Sequence, residues 1–199
     1  MKHEFRLQFA TADRRETIRL VNEYAESYLA NNEGAKKDAE ALSAGERIKN
    51  GERTKENFQI IFRWKLESFI KRKLPHIMKA LEDTDEVDVE DALSVALTAK
   101  RDRTIIAVLT GLPAVRVRVA SAVAAMIWPA RFTVLDVRAL DALGLENRAD
   151  DGSISFYLDY LGECRKLACQ YEVSLRTLDR ALFRWSEIHP KGNTVGRLY

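Results

Sequence analysis

The sequence predicts an all-α fold, a single helical domain over residues 1–199 with about eight or more helices. Three observations predict it. Apolar residues recur at three- and four-residue spacing along most of the chain, and no stretch alternates over the length of a strand. Glycine and proline are sparse, nine and four among 199 residues, far below the content of a turn-rich β sandwich or a disordered chain. A chain of this size buries roughly 70% of its unfolded surface, and its 46% hydrophobic content can fill one core.

The elements follow in order. Ile18, Val21, Tyr24, Tyr28 and Leu29 mark the stripe of a first helix. Residues 31–50 carry Gly34 and Gly45 and few large apolar side chains, and read as a long loop. Phe58, Ile61, Phe62, Leu66, Phe69 and Ile70 define a strong amphipathic helix. It ends near Leu74-Pro75, because the residue before a proline avoids the α region. A short helix follows through Ile77, Met78 and Leu81. Asp88-Val89-Glu90-Asp91 places negative charge at a helix start, and Leu93, Ala96 and Leu97 continue that helix. Ile105, Ile106, Val108 and Leu109 form an apolar segment that stops at Thr110-Gly111-Leu112-Pro113. A small-residue helix then runs from Val117 to about Trp128, where Pro129 breaks it. Residues 135–144 read as a helix with Asp136 at its N-cap and Gly144 just past its end. After a turn at Asp150–Ser153, two long helices run through Phe156, Tyr160 and Leu167 and through Leu175, Leu178, Leu182 and Trp185. Residues 190–199 read as a loose tail.

The net charge is +2, so the total does not announce a polyanion partner, and the distribution says more. Gly45–Lys73 holds nine basic and four acidic residues, and Glu82–Asp91 holds seven acidic and no basic ones. Between Arg101 and Arg138 stand Arg101, Arg103, Arg116, Arg118, Arg131 and Arg138, against Asp102 and Asp136. A near-neutral chain sorted in this way can present a positive face. No apolar run reaches the ~18–20 residues of a membrane span, and the start lacks the apolar region of a signal peptide. The expectation is a cytoplasmic protein with no membrane partner. His3, His76 and His189 have no metal-ligand spacing. Cys164 and Cys169 read as small buried hydrophobes on a helix.

Leu112-Pro113-Ala114-Val115-Arg116-Val117-Arg118, followed by Ala120 and a helix and then by Thr133-Val134-Leu135-Asp136-Val137-Arg138, resembles the helix-hairpin-helix DNA glycosylase superfamily. The likeness spans Leu109 to Gly144. It implies a helix-hairpin-helix element that grips DNA through Leu112–Arg116, Arg118 and Arg138. A monovalent cation assists the hairpin in that family. It also implies an aspartate, here Asp136, that stabilises positive charge on the sugar and helps water attack it. A base pocket is implied too, for which Trp64 and Trp128 are the aromatic candidates.

Departures from the family pattern bear on chemistry. Ala114 and Arg116 replace both hairpin glycines. Ala114 accepts a positive φ poorly, while Arg116 restores phosphate affinity through a side chain. The lysine with which bifunctional members attack the sugar aligns with Arg118, and a guanidinium cannot act as that amine. The resemblance therefore implies a monofunctional enzyme, a hydrolase of base excision repair. Two cysteines cannot supply the four thiolates of the family's iron–sulfur cluster, so no such cofactor is expected. Asp136 also reads as a plain N-cap worth ~1 kcal/mol, and both tryptophans also read as core. Asp179 lies between Arg176 and Arg180, an expected structural ion-pair cluster. Two further readings stand beside the enzyme: a non-catalytic nucleic-acid-binding module of the same fold, and a helical protein-interaction domain whose basic Gly45–Lys73 face meets an acidic partner.

Overall fold

A computed structural model describes residues 5–67 and 74–190, which fold into ten α-helices with no strand among them. In order they are α1 (Arg14–Leu29), α2 (Asn32–Lys49), α3 (Lys55–Glu67), α4 (Leu74–Glu82), α5 (Glu86–Thr98), α6 (Asp102–Leu109), α7 (Val117–Ile127), α8 (Val137–Ala142), α9 (Ile154–Gln170) and α10 (Leu175–Ile188). A 3-10 turn, Glu146–Arg148, separates α8 from α9. Caps set many of the boundaries. Asp13, Asn31, Asp85, Asp136, Ser153 and Ser174 each accept a backbone N–H of the following helix, which satisfies a donor the helix cannot satisfy itself.

The long loop expected over residues 31–50 is instead α2, and the correction has a physical cause. Its buried stripe is Asp38, Ala41, Ala44, Gly45 and Ile48, so four of its five members are small or charged. Small residues let the backbones approach closely. A Cβ built on Gly45 would stand 2.2 Å from the Met126 carbonyl oxygen at the end of α7. The stripe is helical in spacing, and it looks polar because it buries backbone contact in place of large side chains.

Smaller differences follow the same logic. α5 starts at Glu86 behind an Asp85 cap, ahead of the expected Asp88. Pro75 lies in the first turn of α4, where its missing N–H costs nothing. Leu29 is 42% exposed and lies off the buried stripe of α1, which is Thr17, Val21 and Ala25. Cys164 is buried as expected, but Cys169 is exposed. Phe69, Ile70, Lys71–Lys73 and the tail 191–199 lie outside the described residues.

One hydrophobic core runs through the assembly, from Val21 on α1 to Leu182 on α10. α7 is its axis and is buried at every position but Arg118; α2, α3 and α6 pack on it. α1 and α8 pack on α10, and α9 on α6. The segment between α7 and α8 is pinned from two sides. Tyr157 and Tyr160 on α9 donate their hydroxyls to the Thr133 and Val134 carbonyls at 2.9 and 3.0 Å. Ser121 on α7 accepts the Leu135 N–H at 2.9 Å and donates to the Arg118 carbonyl at 2.8 Å. These bonds aim the next residue, Asp136.

Candidate functional site

Asp136 caps α8 as expected, its Oδ1 accepting the Arg138 N–H at 2.9 Å, with Leu143 at the C-cap and Gly144 following at φ +72°. Its other oxygen, Oδ2, accepts from Lys65 Nζ at 2.5 Å. Both side chains are only 6% exposed. Lys65 comes from α3, distant in sequence from the motif that pointed to Asp136.

The pair opens onto a cavity of about 480 Å³, within the 300–1,000 Å³ that ligand sites occupy. Tyr28, Trp64, Val134 and Phe183 give it apolar walls, while Arg176, Arg180 and Asp179 face it from α10. Glu33, Lys37 and Glu187 also line it. Behind this wall, the fully buried Asp38 of α2 gathers the cations. Its Oδ1 accepts from Arg176, and from Tyr28 OH at 3.4 Å, and its Oδ2 accepts from Arg180 at 2.5 Å. Arg176 also pairs with Asp179 and lies over the Trp64 ring, 5.2 Å from its centroid. The expected cluster at residues 176–180 is thus split: Arg176 holds Asp179, while Arg180 turns to Asp38.

Burial governs the electrostatics. Desolvation raises the Asp179 carboxyl above its ordinary value, against the pull of Arg176 and Lys65. It lowers the Arg176 and Arg180 guanidinium groups. It also raises the Tyr28 phenol, with Arg176 opposing. Lys65, Arg176 and Arg180 face Asp38, Asp136 and Asp179, so this buried set is balanced in formal charge.

None of the residues from Leu112 to Arg118 lines the cavity. α6 and α7 are joined by the turn 110–116, in which Leu112 and Val115 are buried and Pro113, Ala114 and Arg116 are exposed. Ala114 has φ +62°, a left-handed conformation that a glycine would enter freely. Arg118 is half-buried, and its backbone carbonyl accepts from Ser121, the hydroxyl that also accepts the Leu135 N–H. Arg138 lies over the ring of Phe183, a cavity residue, at 5.4 Å. Trp64 lines the cavity; Trp128 does not, packing on Phe132 with ring centroids 5.7 Å apart.

Several basic residues read as a surface face have internal partners. Arg47 donates to Asn57, Arg53 to Ser94, and Lys55 to the Glu82 and Thr84 carbonyls. Arg131 pairs with Asp102, which Arg165 also holds, and Arg103 donates to Ser155. Among the described residues no three His, Cys, Asp or Glu side chains converge as a metal site, and no helix is long and apolar enough to cross a membrane.

No family model, curated protein or solved structure matches the chain. Its function has to be argued from this chemistry.

Proposed function

We propose that the protein is a DNA glycosylase-like enzyme that hydrolyses the N-glycosidic bond of a base extruded into the cavity. One observation carries the reading. The Asp136 carboxylate reaches a cavity with aromatic walls, and the buried Ser121 ties its segment to the first turn of α7, which carries Arg118 and follows Arg116. An extruded base needs aromatic or apolar walls and polar groups at its edge. Trp64, Tyr28 and Phe183 supply the first, and Arg176, Arg180 and Asp179 the second. The Asp136 carboxylate opposes the positive charge that develops on the sugar. Arg116 and Arg118 meet phosphates beside the lesion.

The test is base release from duplexes bearing uracil, alkylated or oxidised bases. Asp136→Asn keeps the cap and removes the charge, so release should fall by a factor on the order of 10² or more, with the fold verified by circular dichroism. Turnover equal to wild type would end the assignment. The non-catalytic reading is favoured by a specific fact: both Asp136 oxygens already have partners and the residue is 5% exposed. That reading expects salt-dependent DNA binding without base release. Under either, Arg116→Ala or Arg118→Ala should lower the log–log salt slope of binding by about one.

A further inference from the structure

A second gathering of charge lies outside the cavity, at the start of α6 and at the far end of that helix from the Leu112–Arg118 turn. Lys100, Arg101 and Arg103 stand there at exposed positions. Hydrogen bonds bring two more cations to the same place. Arg131, from the turn after α7, donates its Nε to Asp102 Oδ1 at 2.8 Å and its Nη2 to the Lys100 carbonyl at 2.7 Å. Arg165, from α9, donates to Asp102 Oδ2 at 2.8 Å and twice to the Arg131 carbonyl, at 3.0 and 2.5 Å. Both guanidinium groups also lie over the Phe132 ring, 5.2 and 5.9 Å from its centroid. We propose that this surface is a separate nucleic-acid contact, a clamp for the backbone phosphates of duplex DNA. It rests on the proposed function only for the choice of DNA as the polyanion, and it needs no chemistry at Asp136.

Three features fit the surface to phosphates. Its charge is not cancelled. Lys100, Arg101, Arg103, Arg131 and Arg165 face the single carboxylate of Asp102, and α9 adds only the Lys166–Glu163 pair and Asp159. The two inner guanidinium groups are also fixed in advance. One shared carboxylate, two backbone carbonyls and one aromatic ring hold them, so little side-chain freedom remains to be lost on binding. Those partners do not consume them. The Arg131 and Arg165 side chains are 36% and 38% exposed, and Arg131 Nη1 bonds to no described residue. Finally, the surface carries no large apolar side chain in the open. Those among the described residues, Leu29, Val87, Val95 and Ile188, lie on α1, α5 and α10. A bilayer or a protein partner draws on apolar contact, whereas a phosphate backbone needs charge and positioned donors.

The experiment follows binding of the full chain to an undamaged, fluorescently labelled duplex by anisotropy across a KCl series. Lys100→Ser/Arg101→Ser removes two side chains that bond to no described residue, and serine at position 101 is a good cap for α6. The log–log salt slope should fall by about two. Arg15→Ser/Lys79→Ser removes the same charge from exposed positions on α1 and α4 and should leave the slope as it is. Arg131→Lys keeps the charge and loses the planar fork, and should weaken binding several-fold at fixed salt, with the fold verified by circular dichroism. Acetylation of Lys100, read by peptide mass, should be blocked by the duplex while Lys79 reacts as before.

Equal slopes for wild type and Lys100→Ser/Arg101→Ser, equal losses in the two double variants, unchanged binding by folded Arg131→Lys, or an unprotected Lys100 each overturns the proposal. So does patch-dependent binding to vesicles of anionic phospholipid in preference to the duplex. Base release is scored separately on lesion-bearing duplexes. Release with no contribution from the patch removes the clamp and leaves the glycosylase reading standing. Patch-dependent binding without release upholds the clamp and removes the glycosylase reading.

Discussion

The position of Lys65 on α3 is the sign that could have identified it. Phe58, Ile61, Phe62 and Lys65 follow i, i+3, i+4, i+7, so this lysine falls on the apolar stripe and not on the solvated face. Asp38 on the stripe of α2 and Asp179 on that of α10 carry the same mark. Asp136 was legible because its cap position and its distance from the Leu112–Arg118 segment are local in sequence. Its partner was not, because sequence spacing does not say which buried charge meets which. The pair should behave as one unit. Lys65→Met or Asp136→Asn alone strands a buried charge and should cost about 3–5 kcal/mol, whereas the double variant removes both charges and keeps the cap. In a double-mutant cycle followed by urea denaturation, the double variant should therefore cost less than the sum of the two single variants by at least about 3 kcal/mol; strict additivity would mean that the two side chains do not share their burial. Ala114 is a second residue with a definite sign. Its φ of +62° is strained for alanine and free for glycine. Ala114→Gly should stabilise the chain by about 0.5–1 kcal/mol, net of the entropy glycine adds to the unfolded state. The check is a higher urea midpoint at unchanged slope.

At the level of elements, periodicity identified the large-residue helices and failed where packing uses small ones. α3, α6, α9 and α10 carry stripes of Leu, Ile, Phe and Tyr that announce themselves. α2 buries Ala41, Ala44 and Gly45, and its two glycines lowered its apparent helicity. In an ordinary exposed helix, Gly→Ala gains about 1 kcal/mol. At Gly45 the sign should reverse, because the new methyl would meet the Met126 carbonyl at 2.2 Å and the Ile127 nitrogen at 2.9 Å. These are backbone atoms at the end of α7 and cannot swing aside. Gly45→Ala should cost about 2–3 kcal/mol, with a matching fall in Tm, while Gly34→Ala, whose nearest neighbour is the Asn31 side chain at 3.4 Å, should not. A stabilised Gly45→Ala would show that α2 sits farther from α7. The contact bears on function because α2 carries Asp38, which gathers Arg176 and Arg180 behind the cavity.

For the molecule as a whole, cohesion and site geometry depend on the same buried acids. α9 holds Cys164, Tyr157 and Tyr160 inside the core, and the two phenols fasten the backbone leading to Asp136. Burial pushes the thiol above its ordinary 9.0 and both phenols well above their ordinary 10.0. An acid whose folded pKa is raised keeps its proton in the folded chain while the unfolded chain gives its own up. The unfolded state then binds fewer protons, and stability falls as pH rises. The contribution is intact below about pH 9 and declines by about 1.4 kcal/mol per group for each pH unit past that group's unfolded pKa. By about pH 11 the three groups together remove on the order of 5 kcal/mol, which is the lower end of a domain's whole stability. Alkaline unfolding should therefore be cooperative. Phenolate absorbance from Tyr157 and Tyr160 should rise together with the loss of helical circular dichroism, and any Asp136-dependent activity should vanish over the same interval. Phenolate absorbance that develops fully while the helices remain intact would place these hydroxyls in reach of solvent. It would also separate the support of the Asp136 segment from the integrity of the core, which the bonds to Thr133 and Val134 make a single property.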